Sequence, residues 1–151
     1  MKLISQHAIV SILVQDQEEA LCFYTQRLGL EKRRDITYGL GMRLLTVAPE
    51  GQQKPELALA KPDISLSGEE RVKELLEHIG QKVLSIFVTD NCCREYENLK
   101  ARGVSFVCAP QTQLYGIEAV FKDPYGNTFS LLEAAPGICA QLEHRNFGTA
   151  A

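Results

Sequence analysis

Val14-Gln15-Asp16 closes an apolar run, Ala8 to Val14, and opens a helical stretch, Glu19 to Leu28, that ends at Gly29. At an offset of 74 (from 16 to 90, and from 29 to 103), Val88-Thr89-Asp90 stands before a second such stretch, Cys93 to Arg102, ending at Gly103. Each copy reads as strand, helix, glycine, strand. Residues 9 to 59 and 83 to 131 therefore read as one half-length unit written twice. An offset of 74 is too long for a solenoid, whose repeats run roughly 20–50 residues. The reading is a fused pseudo-dimer.

Outward from these anchors, Ala8 to Val14 is a strand by its length and its Ile, Val and Leu content. Asp16 stands at a helix N-cap, with Glu18 and Glu19 in the first turn against the dipole. Ala20, Phe23, Tyr24 and Leu28 form the stripe that faces a sheet. Strands follow over Leu30 to Tyr38, Met42 to Ala48 and Glu56 to Ala60, separated by Tyr38-Gly39-Leu40-Gly41 and Pro49-Glu50-Gly51. The second unit repeats the plan with a strand over Val83 to Val88, a helix over Asn91 to Ala101, and strands over Val104 to Cys108, Ile117 to Lys122 and Thr128 to Glu133. Asp123-Pro124-Tyr125-Gly126-Asn127 is a hairpin turn, with Pro presetting φ and Gly accepting a positive one.

This predicts an α+β fold of two βαβββ units: 1–61 the first, 62–80 a connector helix opened by the capping-box pattern Ser67-Gly68-Glu69-Glu70, 81–135 the second, and 136–151 a tail. Half of 151 residues is marginal as an independent core, since a unit of about 60 residues buries only about 60% of its surface. The units are expected to act as one structural domain.

Composition is that of an ordinary globular chain, 45% hydrophobic and 23% charged. A net charge of −3 leaves no footprint for nucleic acid or anionic lipid, and no apolar run approaches the roughly 20 residues of a membrane helix. The N-terminal residues lack a signal-peptide pattern, so a cytoplasmic protein is expected. Five cysteines, Cys22, Cys92, Cys93, Cys108 and Cys139, include no Cys-x-x-Cys pair, which argues against disulfides and zinc knuckles. Cys92-Cys93 stands at a helix start, where the dipole can lower a thiol pKa.

Two such units would curl their mixed sheets around a concave trough, the kind of surface that small molecules occupy. Period-2 alternation sends Val10, Ile12 and Val14 to the helix and His7, Ile9, Ser11 and Leu13 to the trough. Carried over by 74, it sends Leu84, Ile86 and Val88 to the helix and Gln81, Val83, Ser85 and Phe87 to the trough. On the closing strand Phe129 and Leu131 face the helix, and Thr128, Ser130 and Leu132 the trough. Glu56 falls opposite Leu57 and Leu59, Arg43 and Glu118 occupy matching strands where they can pair or meet polar ligand groups, and Tyr115 precedes a long strand where its ring can stack on a planar ligand. The candidate ligand-binding set is thus Ser11, Arg43, Glu56, Ser85, Phe87, Tyr115, Glu118 and Ser130. No Ser-His-Asp set, phosphate-cradling glycine loop or paired carboxylate site is present, so no catalytic residue is assigned.

The chain resembles the vicinal oxygen chelate superfamily, which includes glyoxalase I, extradiol dioxygenases and bleomycin resistance proteins. The resemblance is carried by Val14-Gln15-Asp16 through Phe23-Tyr24 to Leu28-Gly29-Leu30, and by Leu99 to Val104 through Tyr115-Gly116 to Asp123-Pro124-Tyr125-Gly126-Asn127. It implies the glyoxalase-like fold and, in metal enzymes of the superfamily, His, Glu or Gln on the first and last strands of each unit. Here those positions fall on Ile9, Val83, Ser130 and Glu56. Aliphatic side chains have no lone pair, and one carboxylate with a hydroxyl falls short of the three protein ligands a catalytic ion takes. The three histidines, His7 at the rim of the trough, His78 on the connector and His144 in the tail, suit solvated or capping roles.

The expectation is therefore a metal-free, glyoxalase/bleomycin-resistance-like homodimer that binds a small organic molecule and uses no cofactor. The alternative is a divalent-metal-dependent lyase, isomerase or dioxygenase using Glu56 and displaced ligands such as His7. A metal-independent enzyme with Glu56 or Glu118 as base is a third reading.

Overall fold

The computed structural model describes residues 1–39, 41–62, 68–77 and 84–138. Its elements run β1 (Ile9–Leu13), α1 (Gln17–Cys22) continuing as a π-helical turn (Phe23–Arg27), β2 (Glu31–Tyr38), β3 (Met42–Ala48), β4 (Glu56–Ala60), α2 (Glu69–Glu77), β5 (Leu84–Val88), α3 (Cys92–Ala101), β6 (Ser105–Gln113), β7 (Gly116–Lys122) and β8 (Thr128–Ala134). The strands form two four-stranded sheets of the same plan, β1-β4-β3-β2 and β5-β8-β7-β6. In each, the first strand pairs parallel with the last and the other pairs are antiparallel. The chain divides into two compact units, Met1–Gln81 with Pro124–Asn127, and Lys82–Asp123 with Thr128–Ala151. No helix among the described residues is long and apolar enough to cross a membrane.

In the first unit, Asp16 caps α1 by accepting from the Glu19 amide at 3.0 Å. Ala20, Phe23 and Tyr24 are buried as the apolar stripe predicts, against a sheet face made by Ile12, Leu57, Leu59, Val47 and Leu45. Each fully buried Val, Leu, Ile or Phe side chain contributes about 1.5–3 kcal/mol, so this layer is the core of the unit. Gln17 ties the start of the helix to the sheet, its side-chain amide donating to the Leu59 carbonyl at 2.9 Å. The Pro124–Asn127 turn belongs to this unit, with the Asn127 amide donating to the Leu13 carbonyl and the Tyr125 hydroxyl to the Asp16 carbonyl, both at 2.9 Å.

The second unit has its core between α3 and the faces of β7 and β8. Phe87, Phe121 and Phe129 stack with ring centroids 5.3–6.3 Å apart, and Phe106 joins Phe121 to Tyr96 of α3. Here the N-cap is Asn91, accepting from the Arg94 amide at 3.0 Å, and not Asp90. The caps therefore lie 75 residues apart (16 to 91), while the terminating glycines, both at positive φ, lie 74 apart (29 to 103). The π turn accounts for the difference: the Leu28 amide reaches back five residues to the Phe23 carbonyl at 3.1 Å, absorbing one extra residue in the first unit.

One expectation shifts at the level of elements. β6 runs to Gln113 through Pro110, five residues beyond the Cys108 end that the sequence pattern predicts. It is an edge strand, where a residue without an N–H is tolerated, and its register slips between Phe106 and Cys108 and again between Cys108 and Gln111. The connector is helical over Glu69–Glu77 with Val72 buried, whereas Ser67 of the capping box, His78 and the closing Gly80 lie outside the described residues, as does His144.

Candidate functional site

On each sheet the face opposite the helix carries one carboxylate held by hydroxyl groups. In the first sheet, Thr46 pairs with Ala58 and Arg34 with Thr46, which puts Arg34, Thr46, Glu56, Ala58, Ser11 and Ile9 on that face. The Thr46 hydroxyl donates to Glu56 Oε1 at 2.6 Å, and Arg34 Nε donates to Oε1 and Oε2 at 3.1 and 3.3 Å. The Thr46 hydroxyl, and after it the Arg34 guanidinium, hold the Glu56 carboxyl below its usual value against an opposing desolvation. Thr46, Glu56 and Ala58 are buried, while Ile9, Ile36, Tyr38 and Met42 leave a large apolar area exposed on the same face.

In the second sheet, the register Val88, Leu132, Glu118 and the register Ile86, Ser130, Val120 define the corresponding face. Ser130 Oγ donates to Glu118 Oε2 at 2.5 Å and the Tyr115 hydroxyl to Oε1 at 2.7 Å. Ser130 is fully buried, and Tyr115 is exposed in the turn between β6 and β7. Accepting carboxylate on its doorstep, the Tyr115 phenol is pushed above its ordinary pKa.

Of the eight candidate residues, Glu56 and Ser11 share one face, and Tyr115, Glu118 and Ser130 come together on another. Three are placed differently. Arg43 shares parity with Leu45 and Val47 and so lies on the α1 side, where it grips Asp35 with two 2.8 Å bonds and Glu18 at 2.6 Å. It pairs with neither Glu118 nor Glu56. Phe87 and Ser85 pair with Leu131 and Phe129, on the α3 side, and Phe87 is part of the aromatic core. Ile86 and Val88, expected to face the helix, are instead more than half exposed (56% and 54%) on the opposite face. The cause is the spacing: counted by 75 from cap to cap, Phe87 is the counterpart of the buried Ile12, and counted by 74 it falls one residue out, which reverses every side chain of a strand.

Arg34 and Thr46 are partners that the sequence reading did not single out. Thr46 carried a signal, a lone hydroxyl at period 2 in the apolar strand Leu44 to Ala48. Arg34 did not, because a register shift between Lys32 and Arg34 moves it onto the Glu56 face.

At the superfamily's metal positions, Ile9 pairs directly with Glu56 and has no donor atom, both Glu56 oxygens accept hydrogen bonds, and the Ser130 hydroxyl donates to Glu118. Val83 lies outside the described residues, and the counterpart of Ile9 at a spacing of 75 is Leu84, again aliphatic. Among the described residues no three His, Cys, Asp or Glu side chains group as ligands. Cys92 offers no nucleophile either: it is buried, its thiol donates to the Leu131 carbonyl at 3.4 Å, and desolvation raises its pKa despite the helix start.

A family model described as Glyoxalase/Bleomycin resistance protein/Dioxygenase superfamily matches residues 6–131. A protein of Shewanella frigidimarina is 33% identical over 126 residues, covering 82% of this chain and 90% of that protein. Among solved structures, UcmS2 is 36% identical with a TM-score of 0.79, covering 87% of this chain and 100% of its own. TnmS3, an antibiotic binding protein from Streptomyces sp. CB03234, is 26% identical with a TM-score of 0.70, covering 89% of this chain and 100% of its own. The two four-stranded sheets, the matched span and these likenesses agree, and the chain belongs to the glyoxalase/bleomycin resistance protein/dioxygenase superfamily.

Proposed function

We propose that this protein is a metal-independent binder of a small organic molecule, held against the sheet faces opposite the helices. The observation that carries the reading is the company of Glu56: Arg34 forms an ion pair with it, Thr46 donates to it, and the residue beside it in register is Ile9. A carboxylate so committed, next to an aliphatic side chain, makes a poor ion ligand and a good wall for an organic molecule. Exposed Ile9, Ile36, Tyr38 and Met42 on that face supply apolar area for such a guest, and Ile86 and Val88 do so separately on the corresponding face of the second sheet. The likeness to TnmS3, an antibiotic binding protein, supports a ligand of the size of a drug-like natural product. Self-association into a homodimer belongs to the same reading.

Elemental analysis of protein prepared without added metal, combined with calorimetric titration of aromatic natural products before and after chelation, tests this. Substoichiometric metal and binding indifferent to chelator are expected. A stoichiometric divalent ion whose removal abolishes binding or a reaction would overturn the proposal.

A further inference from the structure

The two carboxylates differ in their company. Glu56 has the Arg34 guanidinium beside it, whereas Glu118 is held only by the hydroxyls of Tyr115 and Ser130. Among the described residues no Lys, Arg or His forms an ion pair with Glu118. An ionised carboxylate accepts only, so both hydroxyls must donate to it, and each oxygen keeps a second lone-pair direction. The two bonds fix the charge in place without neutralising it. Beside it, along the Val88, Leu132, Glu118 row, the exposed Val88 lies two strand spacings away, roughly 10 Å. Ile86 is equally open in the adjacent row. The Tyr115 ring, 41% exposed, stands at the other side of the carboxylate.

We propose that Glu118 is the recognition group for an ammonium on the ligand, and that the ligand class is therefore a hydrophobic amine: an apolar body on Ile86 and Val88, its cation on the carboxylate and next to the Tyr115 ring. This rests on the binding function proposed above and narrows it to one chemistry. Cationic guests gain an ion pair with the carboxylate, whereas a neutral alcohol can only donate its O–H to it.

Fluorescence titration of the full chain with naphthylethylamine, an ammonium at neutral pH, and with naphthylethanol, its neutral isostere, reads this directly. The native protein is expected to prefer the amine by about ten-fold, the scale of one hydrogen bond to a charged group. Glu118→Gln brings the amine down to the affinity that the alcohol has for the same variant. A native protein that binds both equally, or a preference that survives Glu118→Gln, overturns the role of Glu118 while leaving small-molecule binding intact. Failure to bind either compound overturns the binding function and this proposal with it. A salt series on the native protein gives a reading independent of the variant's folding: the preference must shrink as ionic strength rises, and a salt-independent preference refutes a charge contact.

Discussion

Thr46 and Glu56 meet diagonally across β3 and β4, and the Thr46 hydroxyl donates to Glu56 Oε1 at 2.6 Å in a buried patch. That bond is the leading cause of the lowered Glu56 pKa. A carboxyl whose folded pKa lies below its unfolded value stabilises the fold above the unfolded value, here near 4.5, and loses that contribution as the pH falls through the lower folded one. Thr46→Val is expected to cost about 1–3 kcal/mol at neutral pH. Urea denaturation from pH 7 down to acid should also show a shallower fall in stability for the variant than for the native protein.

Phe87 belongs to the core of the second unit, stacked on Phe129 and Phe121. Phe87 is half-buried, so Phe87→Ala should cost less than the about 3–5 kcal/mol of a fully buried phenylalanine, while Phe87→Leu retains most of the stability. Chemical denaturation checks this. A variant with native stability and weakened ligand binding would return Phe87 to the ligand-facing side.

Arg43 ties β3 to β2 and α1 through Asp35 and Glu18, and its guanidinium holds the Asp35 carboxyl below its usual value. Arg43→Met is expected to shift the urea midpoint modestly downward with an unchanged slope, as loss of a partly screened ion pair does. Affinity for the naphthyl probes should not change, because the residue lies on the α1 side.

Deletion tests the π turn. Removing the exposed Gln26 takes out the additional residue of the first unit and should leave a cooperatively folded protein in which α1 runs on as a regular helix. Removing the exposed Glu97 from the regular helix α3 rotates the half-turns on either side of it by about 100° and carries Leu99 off its sheet, so this chain should fail to fold. Circular dichroism and urea melts distinguish the two.

Much of the architecture was legible in local sequence. Asp16, the stripe Ala20, Phe23 and Tyr24, and Gly29 mark the first helix because capping, amphipathicity and positive φ are decided by residues a few positions apart. The alternation of β8, with Phe129 and Leu131 toward the helix and Ser130 away from it, could be read in the same manner.

Faces and partners on the remaining strands were decided only in three dimensions. Asp90 resembles Asp16, yet Asn91 makes the cap, and the compensating residue sits in a π turn that no local pattern marks; that one-residue slip reversed Ser85 and Phe87. A bulge brings Arg34 onto Glu56, and a hairpin turn brings Tyr115 onto Glu118. Sequence alone determined which segments become strands and helices, the far half of β6 excepted, since those choices rest on neighbours along the chain. Which carboxylate is neutralised and which is left with its charge depends on strand register, and register is settled by hydrogen-bonded pairing between segments distant in sequence.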